Sequence, residues 1–179
     1  EWIAAARDYN ITVIPLVQTL GHLQYVLRQP AYSRLQEKPG NPAEACASHP
    51  DTWPLIRDFL DEIMELHAGL PLFHVGLDET FNIGTCPRCQ AALAGRSKMN
   101  LYVEWVNRCC RHVRAKGFTP IVWGDVVSSH FDQGLVKDLD AAAATPAVKS
   151  VLDDGVTGLD KASGGDWLAL DEAARLANL

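Results

Sequence analysis

The sequence predicts an α/β fold built on a parallel sheet. Short apolar segments alternate three times with longer stretches of helical periodicity. The short segments are apolar on both faces, as strands buried between two layers must be. This alternation fits a doubly wound sheet and a closed barrel equally well.

The elements follow in order. Residues 1–9 put Trp2, Ile3, Ala6 and Tyr9 on one helical face, and Asn10 suits a left-handed cap. Residues 11–17 (ITVIPLV) form the first strand, although Pro15 argues for a place near a strand end. Asp51 and Thr52 can cap a second helix, in which Trp53, Ile56, Leu60, Ile63, Met64 and His67 recur at helical spacing before Gly69. Residues 72–77 (LFHVGL) are the second strand. A third helix starts near Ser97, carries Leu101, Tyr102, Trp105, Val106, Cys109 and Val113, and stops at Gly117 after Arg114 and Lys116. Residues 120–123 (PIVW) are the third strand. Beyond 130 the pattern weakens: four alanines stand at 141–144, and only residues 167–179 read as a short amphipathic helix. No fourth strand of comparable quality is found there.

Composition narrows the function. The chain has 179 residues, 16 basic and 22 acidic, for a net charge of −6, with no basic block. Nucleic-acid and anionic-membrane binding are therefore not expected, and no apolar run reaches the ~18 residues of a membrane span. With 47% hydrophobic and 21% charged residues the chain can bury a core. By length alone it is one domain, at about 100–200 residues per domain. Five cysteines are odd in number and too sparse for a disulfide framework. They point to a reducing compartment, and a cytoplasmic location is expected.

All three strands end in residues able to bind or react. The first runs into Gln18-Thr19-Leu20-Gly21-His22, the second into Asp78-Glu79, and the third into Trp123-Gly124-Asp125. An isolated Asp-Glu pair is ordinarily a helix N-terminus that favours negative charge. A strand-end Trp is ordinarily core. Found together they suit a sugar, whose C–H face stacks on Trp while its hydroxyls bond carboxylates. In an extended strand Asp78 and Glu79 would point to opposite sides. Their repulsion and partial burial would raise the pKa of one, as a general acid requires.

These residues carry a resemblance. The runs VIPLVQTLGH (13–22), HVGLDE (74–79) and PIVWGD (120–125) resemble glycoside hydrolase family 20, the β-N-acetylhexosaminidases, most closely its hexosaminidase D-like branch. The resemblance covers residues 1–130. It implies a (β/α)8 TIM-barrel-type fold that is incomplete, with about strands three to five present and residues 131–179 a divergent helical or irregular segment. It also implies substrate-assisted retaining hydrolysis, in which the 2-acetamido oxygen attacks the anomeric carbon. Glu79 would be the acid/base and Asp78 the partner of the acetamido N–H. His22 would support the acid/base, Trp123 would line the acetamido pocket, and Asp125 would bind sugar. His74 would pack within the barrel. The expected partner is an N-acetylhexosamine-containing glycan; no cofactor is implied, and the oligomeric state is left open.

The chain also departs from the family pattern. The strands bearing the family's sugar-gripping arginine, acetamido tyrosine and second tryptophan have no counterpart here. A complete barrel takes about 250 residues, so these 179 alone are expected to be inactive or poorly stable. Cys86-Pro87-Arg88-Cys89 reads as an insertion after the carboxylate pair. C-x-x-C is half of a tetrahedral zinc site, and Cys109, Cys110 and His112 on the next helix are the candidates for the other half. Free thiols remain the expectation, with no metal bound and a reversible disulfide less favoured still. Three other readings stay open. Glu79 and Asp125 could serve as acid and nucleophile of a two-carboxylate retaining glycosidase. The chain could instead be a non-catalytic carbohydrate-binding or structural remnant of a barrel. An oxygen-ligated metal could sit at Asp78, Glu79 and Asp125.

Overall fold

The computed structural model describes residues 2–123. Asp125 and the segment 131–179 lie outside the described residues. Helix α1 (Trp2–Asp8) gives way to Asn10 at φ +55°, the left-handed geometry that Asn tolerates. Its apolar face is open among the described residues, with Trp2 87% and Tyr9 79% exposed.

Residues 11–17 make a weaker strand than predicted. They meet the sheet only at 15–17, where Leu16 bridges His74 in parallel register. There the Val17 N–H donates to the His74 carbonyl (2.9 Å) and the His74 N–H to the Pro15 carbonyl (2.8 Å). Pro15 has no N–H, and no other described strand pairs with the segment, so its backbone is held along one edge only.

The chain then forms the short helix α2 (Gln24–Leu27), a 3₁₀ turn at Ser33–Leu35, and an antiparallel hairpin of β1 (Gln36–Lys38) and β2 (Asn41–Ala45). The sequence reading has no hairpin here, because QEK and NPAEA lack the β-branched and aromatic residues of typical strands. Its signal is the tip: Lys38 faces Asn41 across Pro39-Gly40, with Gly40 at φ +83°.

Helix α3 (Thr52–Leu66) buries Ile56, Leu60 and Met64, spaced by four. Each such side chain contributes about 1.5–3 kcal/mol by leaving water. Asp51 occupies the N-cap position, but its carboxylate accepts from Arg34 (3.0 Å) and makes no capping bond. Strand β3 (Leu72–His74) is fully buried and shorter than predicted, because Gly76 (φ +69°) and Leu77 (φ +79°) leave the extended region. Helix α4 (Pro87–Leu93) begins with proline in its first turn. Helix α5 (Lys98–Ala115) is capped by Ser97, whose hydroxyl accepts the Met99 N–H at 3.2 Å. Strand β4 (Thr119–Ile121) pairs in parallel with β3, from Leu72 opposite Thr119 to His74 opposite Ile121.

Residues 15–17, β3 and β4 thus lie side by side in chain order and run the same way, as neighbouring strands of a (β/α) barrel do. Helices α3 and α5 pack through Trp53, whose ring meets Trp105 (5.9 Å) and His112 (5.7 Å) edge-on beneath the Arg108 guanidinium (5.5 Å). Among the described residues no helix is long and apolar enough to cross a membrane.

Candidate active site

The end of β3 adopts backbone conformations that most side chains avoid. Leu77 (φ +79°), Glu79 (φ +48°) and, in the facing loop, His22 (φ +54°) are all left-handed. Each costs about 1–2 kcal/mol relative to an ordinary backbone. Long-range bonds hold this shape. The Tyr102 hydroxyl on α5 donates to the Leu77 carbonyl (3.0 Å) and the Thr19 hydroxyl to the Val75 carbonyl (2.8 Å). The Trp123 N–H donates to the Gly76 carbonyl (3.0 Å), joining the ends of β3 and β4. The two loops touch at glycines: a Cβ on Gly21 would lie 2.6 Å from the Asp78 carbonyl oxygen.

These turns correct the strand-alternation expectation for the carboxylates. Asp78 and Glu79 do not point apart but converge on one imidazole nitrogen. His22 Nε2 is 3.2 Å from Asp78 Oδ2 and 3.4 Å from Glu79 Oε2. Gln18 Nε2 donates to the other Asp78 oxygen at 2.9 Å. Asp78 is thereby gripped at both oxygens and lies deeper, with its side chain 24% exposed against 46% for Glu79. Such a pair can hold one carboxyl in fixed orientation while the other meets an entering group.

His74 is buried, and its Nδ1 accepts the Gly76 N–H at 2.9 Å, which places the ring proton on Nε2. Burial pushes its pKa down to about 4, so it is neutral at pH 7. Its ring lies 4.5 Å from that of Trp123, which is half-buried.

The structure therefore brings His22, Asp78 and Glu79 into contact and sets Trp123 on the adjoining strand end. Gln18 and Tyr102 are missed by the sequence reading. Gln18 carried a signal, as a polar residue beside a strand end, whereas Tyr102 is hidden in an apolar helical face. The α5 residues expected to partner Cys86 and Cys89 are engaged elsewhere. Cys109 and Cys110 are buried in the core cluster, and His112 is bonded to Asp61 on α3 at 2.8 Å. The neighbours of Cys86 and Cys89 are instead Cys46 and Glu37.

Comparisons with known proteins place the chain in a family. The family profile "Glycosyl hydrolase family 20, catalytic domain" matches residues 1–149. The chain is 33% identical over 131 residues to "Hexosaminidase D" of Bos taurus, covering 71% of this chain and 38% of that protein. It is 30% identical over 156 residues to "Hexosaminidase D" of Homo sapiens, covering 84% and 31%. The chain thus spans well under half the length of these relatives. Among solved structures, a beta-N-acetylhexosaminidase from Bacteroides fragilis aligns with a TM-score of 0.58 at 24% identity, over 86% of this chain and 32% of that one. A GH20 exo beta-N-acetylglucosaminidase from Vibrio harveyi, in complex with N-acetylglucosamine, aligns with a TM-score of 0.59 at 21% identity, over 74% and 23%. By the match of its sequence to the catalytic-domain profile over most of its length, the chain belongs to glycosyl hydrolase family 20, whose catalytic fold is a TIM barrel.

Proposed function

We propose that the protein containing this chain is a β-N-acetylhexosaminidase that works by substrate-assisted retention. The observation that carries the reading is the convergence of Asp78 and Glu79 on His22 Nε2, at 3.2 and 3.4 Å. Adjacent carboxylates this close suit a division of labour between one acid and one anion.

Glu79, the more exposed, donates its proton to the leaving glycosidic oxygen. The substrate's acetamido oxygen attacks C1 as the bond from C1 to that oxygen breaks. Asp78 accepts the acetamido N–H and stabilises the positive charge of the oxazolinium intermediate. Glu79, now a carboxylate, takes a proton from the water that attacks C1 and reopens the ring, so the β configuration is retained. His22 positions both carboxylates, and Gln18 fixes the second oxygen of Asp78. Trp123 lines the acetamido side of the pocket, with Asp125 a sugar-binding residue. The N-acetylglucosamine complex of the Vibrio relative supports this substrate class.

The test is hydrolysis of aryl N-acetyl-β-glucosaminide and galactosaminide by the full-length protein, with an aryl β-glucoside as control. Glu79→Gln and Asp78→Asn should each lower kcat/KM by about 100-fold or more, and the glucoside should be a poor substrate. Intact turnover in either variant, or equal turnover of the glucoside, would overturn the reading. On the same reading residues 1–179 by themselves do not turn over substrate. Among the described residues the parallel sheet has two strands and one bridge, and Trp2, Tyr9 and Ile11 are exposed.

A further inference from the structure

The loop after the carboxylate pair and the β1–β2 hairpin meet at a cluster the mechanism does not use. Glu37, Cys46, Cys86 and Cys89 each offer a ligand atom, and these four atoms lie within 4.8 Å of one another. The Cys46 sulfur is 3.4 Å from that of Cys86 and 3.5 Å from that of Cys89, while Cys89 Sγ is 3.1 Å from Glu37 Oε2. In a tetrahedral zinc site with Zn–S near 2.3 Å, sulfurs sit about 3.8 Å apart. Both distances from the Cys46 sulfur are within a few tenths of an ångström of that spacing.

Two further features fit a cation. Glu37 is 1% exposed, and no Lys, Arg or His pairs with it among the described residues. A buried carboxylate without a basic partner needs compensation, and its hydrogen bonds from the Cys86 N–H (2.9 Å) and the Cys89 thiol supply only part. Cys86-Pro87-Arg88-Cys89 is also folded for chelation. Cys86 is extended at the start of α4, and the Cys89 N–H turns back to its sulfur at 3.3 Å. Both sulfurs of the C-x-x-C are thus presented to one point.

We infer that Glu37, Cys46, Cys86 and Cys89 form a structural zinc site that ties the hairpin to the loop following Asp78-Glu79. All four positions are taken by protein, as in structural and not catalytic zinc centres. The tie acts alongside Glu44, which accepts from the Asn82 N–H (2.9 Å) and side-chain amide (2.7 Å). Together they anchor the segment that carries Glu79 to the loop system that carries His22. This inference is independent of the glycosidase reading, because its measurements are of metal and thiols.

The full-length protein, purified without chelators, is analysed for metal and for free thiols. About one zinc per chain is expected, released when a mercurial reagent titrates the thiols. Cobalt(II) exchanged into the site should give a thiolate-to-cobalt charge-transfer band, weaker in Cys46→Ala and Cys89→Ala and unchanged in Cys109→Ala. Because cysteine variants can misfold, Glu37→Cys is the complementary test: it should retain zinc and strengthen that band. Three results would each overturn the inference: less than about a tenth of an equivalent of zinc after reconstitution under reducing conditions; two thiols missing as a disulfide in the purified protein; or full zinc retention in a folded Cys46→Ala/Cys89→Ala double variant.

Discussion

Gly76→Ala tests how the strand end is held. An alanine there must keep φ +69°, about 1–2 kcal/mol worse than glycine. Its Cβ would lie 2.0 Å from Gln18 Oε1, 2.8 Å from Cδ and 3.1 Å from Cα. The amide can swing aside, but the Cα cannot. Swinging breaks the 2.9 Å bond from Gln18 to Asp78. Such a bond to a carboxylate contributes about 1.5–3 kcal/mol, and the lower end applies here because Asp78 is partly open to water. Together the two effects destabilise the protein by roughly 3 kcal/mol. Loss of the Asp78 donor should also cut kcat/KM about tenfold. The assay is urea unfolding together with N-acetylglucosaminide hydrolysis for Gly76→Ala, Gln18→Ala and the double variant, all in the full-length protein. Gln18→Ala clears the space, so the double variant should be about 1 kcal/mol or more stabler than additivity allows, yet no more active. Strictly additive stabilities, or wild-type kcat/KM in Gln18→Ala, would refute the reasoning.

Other outcomes follow from single interactions. His74, with its pKa pushed down to about 4 by burial, resists protonation in the folded protein. The unfolded chain binds that proton near pH 6.5, so stability should fall between pH 6.5 and 4 by at most roughly 3 kcal/mol. His74→Asn keeps an acceptor for the Gly76 N–H and should flatten that slope in urea titrations. Tyr102→Phe strands the Leu77 carbonyl and should cost about 1–3 kcal/mol of stability, measured by thermal unfolding, along with a fall in kcat. Asp61 loses some ionised character to burial but gains more from Lys116 and His112, at 2.9 and 2.8 Å, and its pKa is lowered. Its contribution is present above the ordinary carboxylate pKa and is lost as pH falls through the lowered value. Asp61→Asn should therefore cost under about 1 kcal/mol at pH 7 and nothing in strong acid, as read from paired melts.

Some parts of this molecule were legible because local chemistry and tertiary environment agree. Helix α5 has a Ser cap, apolar residues at helical spacing and a Gly stop, and each is where the structure uses it. Strands β3 and β4 are legible because a strand covered on both faces is predominantly apolar. Their lengths were not legible. Nothing about leucine or glutamate suggests a left-handed backbone at 77 and 79; the stretch leading into them is bonded at the Val75, Gly76 and Leu77 carbonyls by Thr19, Trp123 and Tyr102 from distant parts of the chain.

The same reasoning explains why the carboxylate pair was found and its geometry was not. Asp78 and Glu79 announce themselves by following a buried strand. Strand periodicity would have sent them to opposite faces and left only one beside His22. Their convergence goes with the left-handed backbone at Glu79, and the facing loop is pressed in at Gly21, where a methyl group would strike the Asp78 carbonyl at 2.6 Å. The Cys86/Cys89 partners were hidden for a related reason. Cys46 and Glu37 reach them only through a hairpin whose strands carry no strand-like composition, so the four donors are contiguous in space and spread over 53 positions in sequence (37 to 89). Both cases put the chemistry where two loops meet. A substitution that loosens that meeting should therefore damage turnover more than a similar loss of packing between α3 and α5.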